Sequence, residues 1–252
     1  MRELFRCIRA EFLKMRHTFL YPLHIGVPVM GSVIFLLYYR VAGWSEAAQI
    51  SGYAEIIGIS LPFVVSIVCA GNVGLEEKNQ FQTLLGGSVY RWNSFLAKYL
   101  VLLGIGIMAV LAAIFLFAAG YHRILGKEGI CFGTYGKMAA ILCLGSVPLY
   151  LEHLFLNLMF AKSISLCAGA IEFLLSALFL TGLGDGRWPF FPCTWSARSV
   201  ALFLAYVTQN EAAGIFMAVM KNALVVCLLL MLMICAIIRI WFHFYEGRQC
   251  DD

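Results

Sequence analysis

Six apolar runs divide this chain, at about 19–39, 56–75, 97–119, 138–160, 164–184 and 214–238, and each is long enough to cross a bilayer as one helix. Helices of ~20 residues in those six places leave only two tails and five short loops. No loop is large enough for a separate catalytic domain. Of the 252 residues, 62% are apolar and 13% charged, whereas soluble domains run at ~45–50% and ~25%. One soluble core cannot absorb that excess. The expected fold is an all-α membrane protein, a single transmembrane domain over 1–252, with no internal repeat and no low-complexity linker. A cleaved signal peptide competes for the first run, since a basic leader precedes it and Ser45-Glu46-Ala47 has small residues flanking one position. Leader and run are both too long for that, so an anchor is expected.

Six spans put both termini on one side. Segments on the N-terminal side carry eleven Lys or Arg: Arg2, Arg6, Arg9, Lys14, Arg16, Lys78, Arg91, Lys98, Lys162, Arg239 and Arg248. The opposite loops carry six, at Arg40, Arg123, Lys127, Lys137, Arg187 and Arg198, with Lys221 inside the last run. The bias predicts cytoplasmic termini in a multi-pass protein of the cell membrane. A net charge of +4 is explained by this topology, so no nucleic-acid partner is expected. The nine cysteines show no C-x-x-C pairing and read mostly as small core residues; Cys131 and Cys193 fall in outer loops, which leaves a disulfide between them open.

Residues 1–18 form a segment of their own. Met1, Phe5, Ile8, Phe12, Met15 and, just beyond, Phe19 recur at steps of four and three, a single helical stripe, and the basic residues lie outside it. This predicts an amphipathic helix in the headgroup layer, its cations reaching lipid phosphate. The other reading is an ordinary basic flank before the first span. The longest inner loop, Glu76 to Lys98, opens with Glu76-Glu77. It continues through a short helix whose face holds Phe81, Leu84 and Leu85, which Gly86-Gly87 ends; a second amphipathic stretch with Val89, Trp92, Phe95 and Leu96 follows. An exposed Phe-Leu-Leu face suits a groove on a partner protein; the alternative is that it packs on its own bundle.

The stretch Glu76-Glu77, Asn79-Gln80-Phe81-Gln82-Thr83-Leu84-Leu85, then Arg91 and Lys98, resembles the first inner loop of ABC-2 type exporter permeases. The Phe81-Gln82-x-Leu84-Leu85 core and Pro192-x-x-Trp195-x-x-Arg198, with six spans and small size, resemble more narrowly the permease subunits of lantibiotic immunity ABC transporters. Two positions depart from the wider pattern: Gln82 stands where many members have glycine, and no proline precedes Arg91. Those departures count against a drug or polysaccharide exporter more than against the immunity class. The resemblance implies a coupling helix that docks on a separate ATPase subunit through Glu76, Glu77, Phe81, Leu84 and Leu85. It implies two copies of that ATPase, which would bind ATP and Mg, and a second permease subunit, identical or homologous. The substrate would be an antimicrobial peptide expelled from the membrane.

The chain's own chemistry agrees with a passive subunit. No G-x-x-x-x-G-K-[ST] loop, G-x-S-x-G or H-E-x-x-H occurs, so no catalysis, cofactor or metal is expected on this chain. His24 and His153 could reach similar depth and ligate a haem, but haem modules use better-placed pairs. Glu152 and Glu172 each lie ten residues from Lys162, so on a helical hairpin they share one layer ~12–15 Å from the turn. With His153 and Asn157 they line a substrate crevice, relay protons or glue helices together; an intramembrane acid fits all three. In the outer segment Trp188, Trp195 and Arg198 are expected at the membrane interface, as an aromatic belt or a peptide contact. Three other functions stay open: ABC-2 export of another amphipathic drug or lipid, a proton-coupled secondary carrier using Glu152 and Glu172, and a non-transporting scaffold or sensor.

Overall fold

The computed structural model describes residues 2–208 and 213–247; Met1 and Arg248 lie outside them. The described residues form helices and no strand: α1 Arg2–Met15, α2 Leu20–Val41, α3 Glu46–Glu77, α4 Gln82–Gly86, α5 Arg91–Arg123, α6 Phe132–Met159, α7 Lys162–Leu178, α8 Trp195–Thr208 and α9 Ala213–Phe244. Five of them are long and apolar enough to cross a membrane: α2, α3, α5, α6 and α9 over Ala218–Phe244. The chain is thus an all-α protein with the character of a multi-pass membrane protein.

The apolar runs understate the helices. The α3 helix begins ten residues before its run, where the Ser45 Oγ accepts from the Ala48 N–H at 3.3 Å and caps the first turn. The stretch from Val89 to Leu96 is no separate element, because from Arg91 it is already the start of α5. The fifth run is overstated. The α7 helix has 17 residues and stops at Leu178, ~26 Å by helical rise, rather than continuing to 184. Thr181-Gly182-Leu183-Gly184 closes it with a 3-10 turn, and Gly186 (φ 71°) takes a left-handed conformation that reverses the chain.

Two further 3-10 turns, Trp188–Phe190 and Pro192–Thr194, then lead into α8. This helix is wedged between α3 and α6 through backbone contact. A Cβ at Gly58 would lie 2.5 Å from the Ala197 Cα, and one at Gly145 would lie 2.7 Å from the Ser196 Cα. Small residues allow such approach between apolar helices. Gly145→Val should therefore cost about 1–3 kcal/mol through overpacking, visible as a lower thermal midpoint of the detergent-purified chain. Of the long helices α3 and α6 are the most buried and α9 the least, so α3, α5 and α6 make the centre and α2 and α9 the flanks.

Candidate functional site

At the end of the bundle that carries α1 and α4, four charged side chains meet. Lys98 Nζ lies 2.8 Å from Glu11 Oε2, 3.0 Å from Glu76 Oε1 and 2.6 Å from Asn72 Oδ1. Lys14 Nζ bridges the same acids, 2.7 Å from Glu11 Oε1 and 2.6 Å from Glu76 Oε1. The Thr83 hydroxyl donates to the other Glu76 oxygen. Two carboxylates and two ammonium groups balance, and each acid accepts from both lysines. The cluster fastens α1, α3, α4 and α5 to one another. Desolvation of Lys14 works against its charge, yet the Glu11 and Glu76 carboxylates outweigh it and hold its pKa above the ordinary 10.5. A raised lysine pKa stabilises fully below pH 10.5, and the contribution is lost as pH rises through the higher folded value.

Directly beside the cluster α4 hangs from a strained turn. Gln80 (φ 49°) and Phe81 (φ 58°) both occupy the left-handed region, which costs of order 1–3 kcal/mol per non-glycine residue and persists only where packing enforces it. Here it drives Phe81 inward. Phe81 is fully buried, its ring 6.3 Å edge-on from that of Tyr245, and Leu84 is buried as well. Leu85 and Glu77 are half-buried. Tyr245 is itself fixed, its hydroxyl donating to the Leu158 carbonyl at 3.0 Å.

The expected exposed Phe-Leu-Leu face is thus corrected: Phe81 and Leu84 pack on their own bundle, and Glu76 belongs to an internal ion cluster. What α4 and its turn present outward is polar, namely Lys78, Asn79, Gln80, Gln82 and Thr83.

In the middle of the bundle the structure brings together all four predicted polar residues. The Glu152 and Glu172 carboxyls are close neighbours across α6 and α7. His153 Nε2 lies 3.2 Å from Glu172 Oε2, and its Nδ1 lies 3.0 Å from Ser165 Oγ. Asn157 Nδ2 donates to Ser165 Oγ and to the His153 carbonyl, both at 2.7 Å. A polar chain therefore links α6 and α7 from Glu172 through His153 and Ser165 to Asn157, with Glu152 beside Glu172. Among the described residues no lysine or arginine pairs with either acid. His24 stands in α2, its Nδ1 facing the Leu20 carbonyl at 2.6 Å, whereas both ring nitrogens of His153 are engaged by Ser165 and Glu172.

At the opposite end the residues expected in the outer segment make structural contacts. Arg198 donates to the carbonyls of Phe179 at 3.1 Å and Leu180 at 2.8 Å and pairs with Asp185. A cation thus sits on the C-terminal end of α7, where the helix dipole favours it. Trp188 and Trp195 are 2% and 7% exposed, and the Trp195 indole N–H donates to the Pro189 carbonyl at 2.9 Å. The expected aromatic belt is corrected for these two, because the 3-10 turns fold them back onto the bundle; Phe190 and Phe191 are the exposed rings. Cys131 is exposed and Cys193 buried, and both are free thiols.

No family model, no curated protein and no solved structure matches the chain. Assignment therefore rests on residues and geometry. Sequence reasoning missed Glu11, Asn72 and Ser165, gave Lys14 to the basic N-terminal segment, and placed Lys98 among the inner-side bases and in the family-like inner loop without a partner for either. One signal was present: Lys98 falls inside an apolar run, where an ionisable side chain implies a partner.

Proposed function

We propose that this chain is the permease subunit of an ATP-driven exporter that expels a membrane-inserted antimicrobial peptide of the lantibiotic kind. It would work with two ATPase subunits and a second permease subunit, both termini being cytoplasmic and α7 completing a sixth membrane segment. The observation that carries the reading is how α4 is built in. Its apolar side chains are locked beneath it, its polar face is outward, and Thr83–Glu76–Lys98 ties it to α3 and α5. A load applied to α4 would move α3 and α5 as one piece, which is what an ATPase-driven gate requires. The docking contact then shifts from Phe81 and Leu84 to Lys78, Asn79, Gln80, Gln82 and Thr83. On α1 the exposed Phe5 and Phe12 remain available to lipid, while Glu11 and Met15 anchor the other side.

The test is purification of the full chain from its own membranes. Co-purification of an ATPase whose hydrolysis the peptide stimulates is the expected result; transport that survives ATP depletion and collapses with the proton gradient would overturn it. That second outcome is the signature of a proton-coupled carrier, the alternative that two neighbouring acids within membrane-crossing helices support.

In the exporter the same pair, with no lysine or arginine paired to it among the described residues, offers acid to the cationic parts of a peptide. Glu172→Gln keeps the shape and removes the charge. A charge-assisted hydrogen bond is worth about 1.5–3 kcal/mol, so peptide protection should fall about 10- to 100-fold at unchanged expression. Undiminished protection in Glu172→Gln and in Glu152→Gln would leave the pair only its helix-bridging role.

A further inference from the structure

Where α5 begins and α9 ends, the two helices frame an open groove of about 670 Å³. Arg91 and Trp92 line it from α5, and Arg239 and His243 line it from α9. Its floor is packed: the buried Phe242 ring lies 4.9 Å from that of Phe95 and 6.1 Å edge-on from that of Trp92. The Arg239 guanidinium sits over the Trp92 ring at 5.2 Å, a cation–π contact that holds it in place. Both arginines are exposed. Arg91 donates one N–H to the Tyr245 carbonyl at 3.4 Å, and among the described residues no carboxylate pairs with either guanidinium. Glu3, which meets Asn93 at 3.5 Å, and the exposed Glu246 both lie outside the lining. The groove is cationic, and no acid among the described residues answers it.

Two membrane-crossing lengths, Arg91–Arg123 and Ala218–Phe244, end at this groove, which places its cations at the depth of the headgroups. Tyr90 and Trp92, also in the lining, suit that layer. From the groove one face of α9 runs back into the hydrocarbon. Phe244, Ile240, Ile237, Met233 and Leu229 recur at steps of four and three and are 51% to 74% exposed. From Ile240 to Leu229 is ~17 Å by helical rise, against ~15 Å for half of a ~30 Å hydrocarbon core. A soluble anion would need only the cations. An apolar strip as long as one leaflet, starting at a pair of arginines, matches a molecule that joins an anionic head to an acyl chain.

We propose that the groove binds an anionic phospholipid, its phosphodiester held by Arg91 and Arg239 and an acyl chain lying along the α9 face. The planar N–H fork of a guanidinium matches phosphate oxygens in pairs, and basic pockets between membrane helices take up such headgroups. Charge selects the lipid class. A zwitterionic headgroup brings an ammonium that two guanidiniums repel, whereas a headgroup without one leaves its whole negative charge to them. The bound lipid bridges the start of α5 and the end of α9, the least buried of the long helices. The site is independent of peptide export and involves neither Glu152, Glu172 nor α4.

The experiment uses the full chain in phosphatidylcholine vesicles that carry a trace of either phosphatidylglycerol or phosphatidylcholine with a diazirine in one acyl chain. After illumination, cross-linked peptides are located by mass spectrometry. In the unaltered chain the phosphatidylglycerol probe should label 229–244 about 25-fold more than the phosphatidylcholine probe, and Arg91→Gln or Arg239→Gln should each cut that ratio about fivefold. Lys221→Gln removes a cation from the other end of α9 and should leave the ratio as it is. Unlabelled phosphatidylglycerol should compete with the probe, and an excess of inorganic phosphate should not. Equal labelling by the two probes would overturn the proposal, and so would no labelling of 229–244 by either, since a protein surface would then cover that face. A ratio that survives both arginine substitutions, or falls as far in Lys221→Gln, would reduce the preference to diffuse attraction and overturn the site. Competition by inorganic phosphate would overturn lipid as the occupant. The two-probe comparison needs no variant, so it decides even if a substituted chain fails to fold.

Discussion

Replacing Lys98 by methionine should cost about 3–5 kcal/mol, the range for removing one partner from a buried ion pair. Lys98 is 1% exposed and is met by two carboxylates and an amide oxygen. Without it Glu11 and Glu76 must share Lys14, whose side chain is 27% exposed. The mirror variant, Lys14→Met, should cost only about 1 kcal/mol, because Lys98 still bridges both acids and the lost group was partly hydrated. Charge balance supplies the control. Glu11→Gln combined with Lys98→Met leaves one acid and one lysine, Glu76 and Lys14, and should recover more than half of the loss. Thermal midpoints of the four chains in one detergent would decide it. A loss in Lys98→Met that Glu11→Gln does not reduce would show that stem packing, and not the uncompensated charge, sets the cost.

That cluster also shows where the sequence was readable and where it was not. Apolar length alone located the long helices, because a run of ~20 apolar residues has few other stable forms. Helix ends were less legible. The polar starts of α3 and α5 are helical because tertiary contacts and a serine cap support them, and neither leaves an apolar signature. The fifth run failed in the other direction: Phe179 and Leu180 continue the apolar pattern, but the glycines at 182, 184 and 186 end the helix. Glu152 and Glu172 could be paired from their equal distance to one tight turn, since a hairpin fixes the register. Glu11 with Lys98 could not, because their meeting depends on how α1 folds back across α5. Phe81 was misread for a related reason. Period alone places it on a face of α4, whereas its left-handed backbone, invisible to any periodicity, turns that face inward.

Phe81→Ala should be the second large loss, about 3–5 kcal/mol, as for a fully buried phenylalanine cut to alanine. No strain is relieved in exchange, since alanine at φ 58° is as unfavourable as phenylalanine. The ring is what holds the turn down, and without it the segment 78–83 should open to limited proteolysis before the rest of the bundle unfolds. Loss of ATPase attachment in Phe81→Ala would therefore not identify a docking residue, because the knob itself is gone. Substitution on the exposed side separates the two effects. Gln82→Glu touches no buried group and should leave the thermal midpoint within about 0.5 kcal/mol of the parent, yet it places a charge in the proposed contact. If α4 is the docking helix, Gln82→Glu should weaken ATPase co-purification about tenfold while the protease pattern of 78–83 stays native. An ATPase that remains bound to Gln82→Glu and to Lys78→Glu alike would move the contact away from α4 and remove the mechanical basis for ATP-driven gating by this chain.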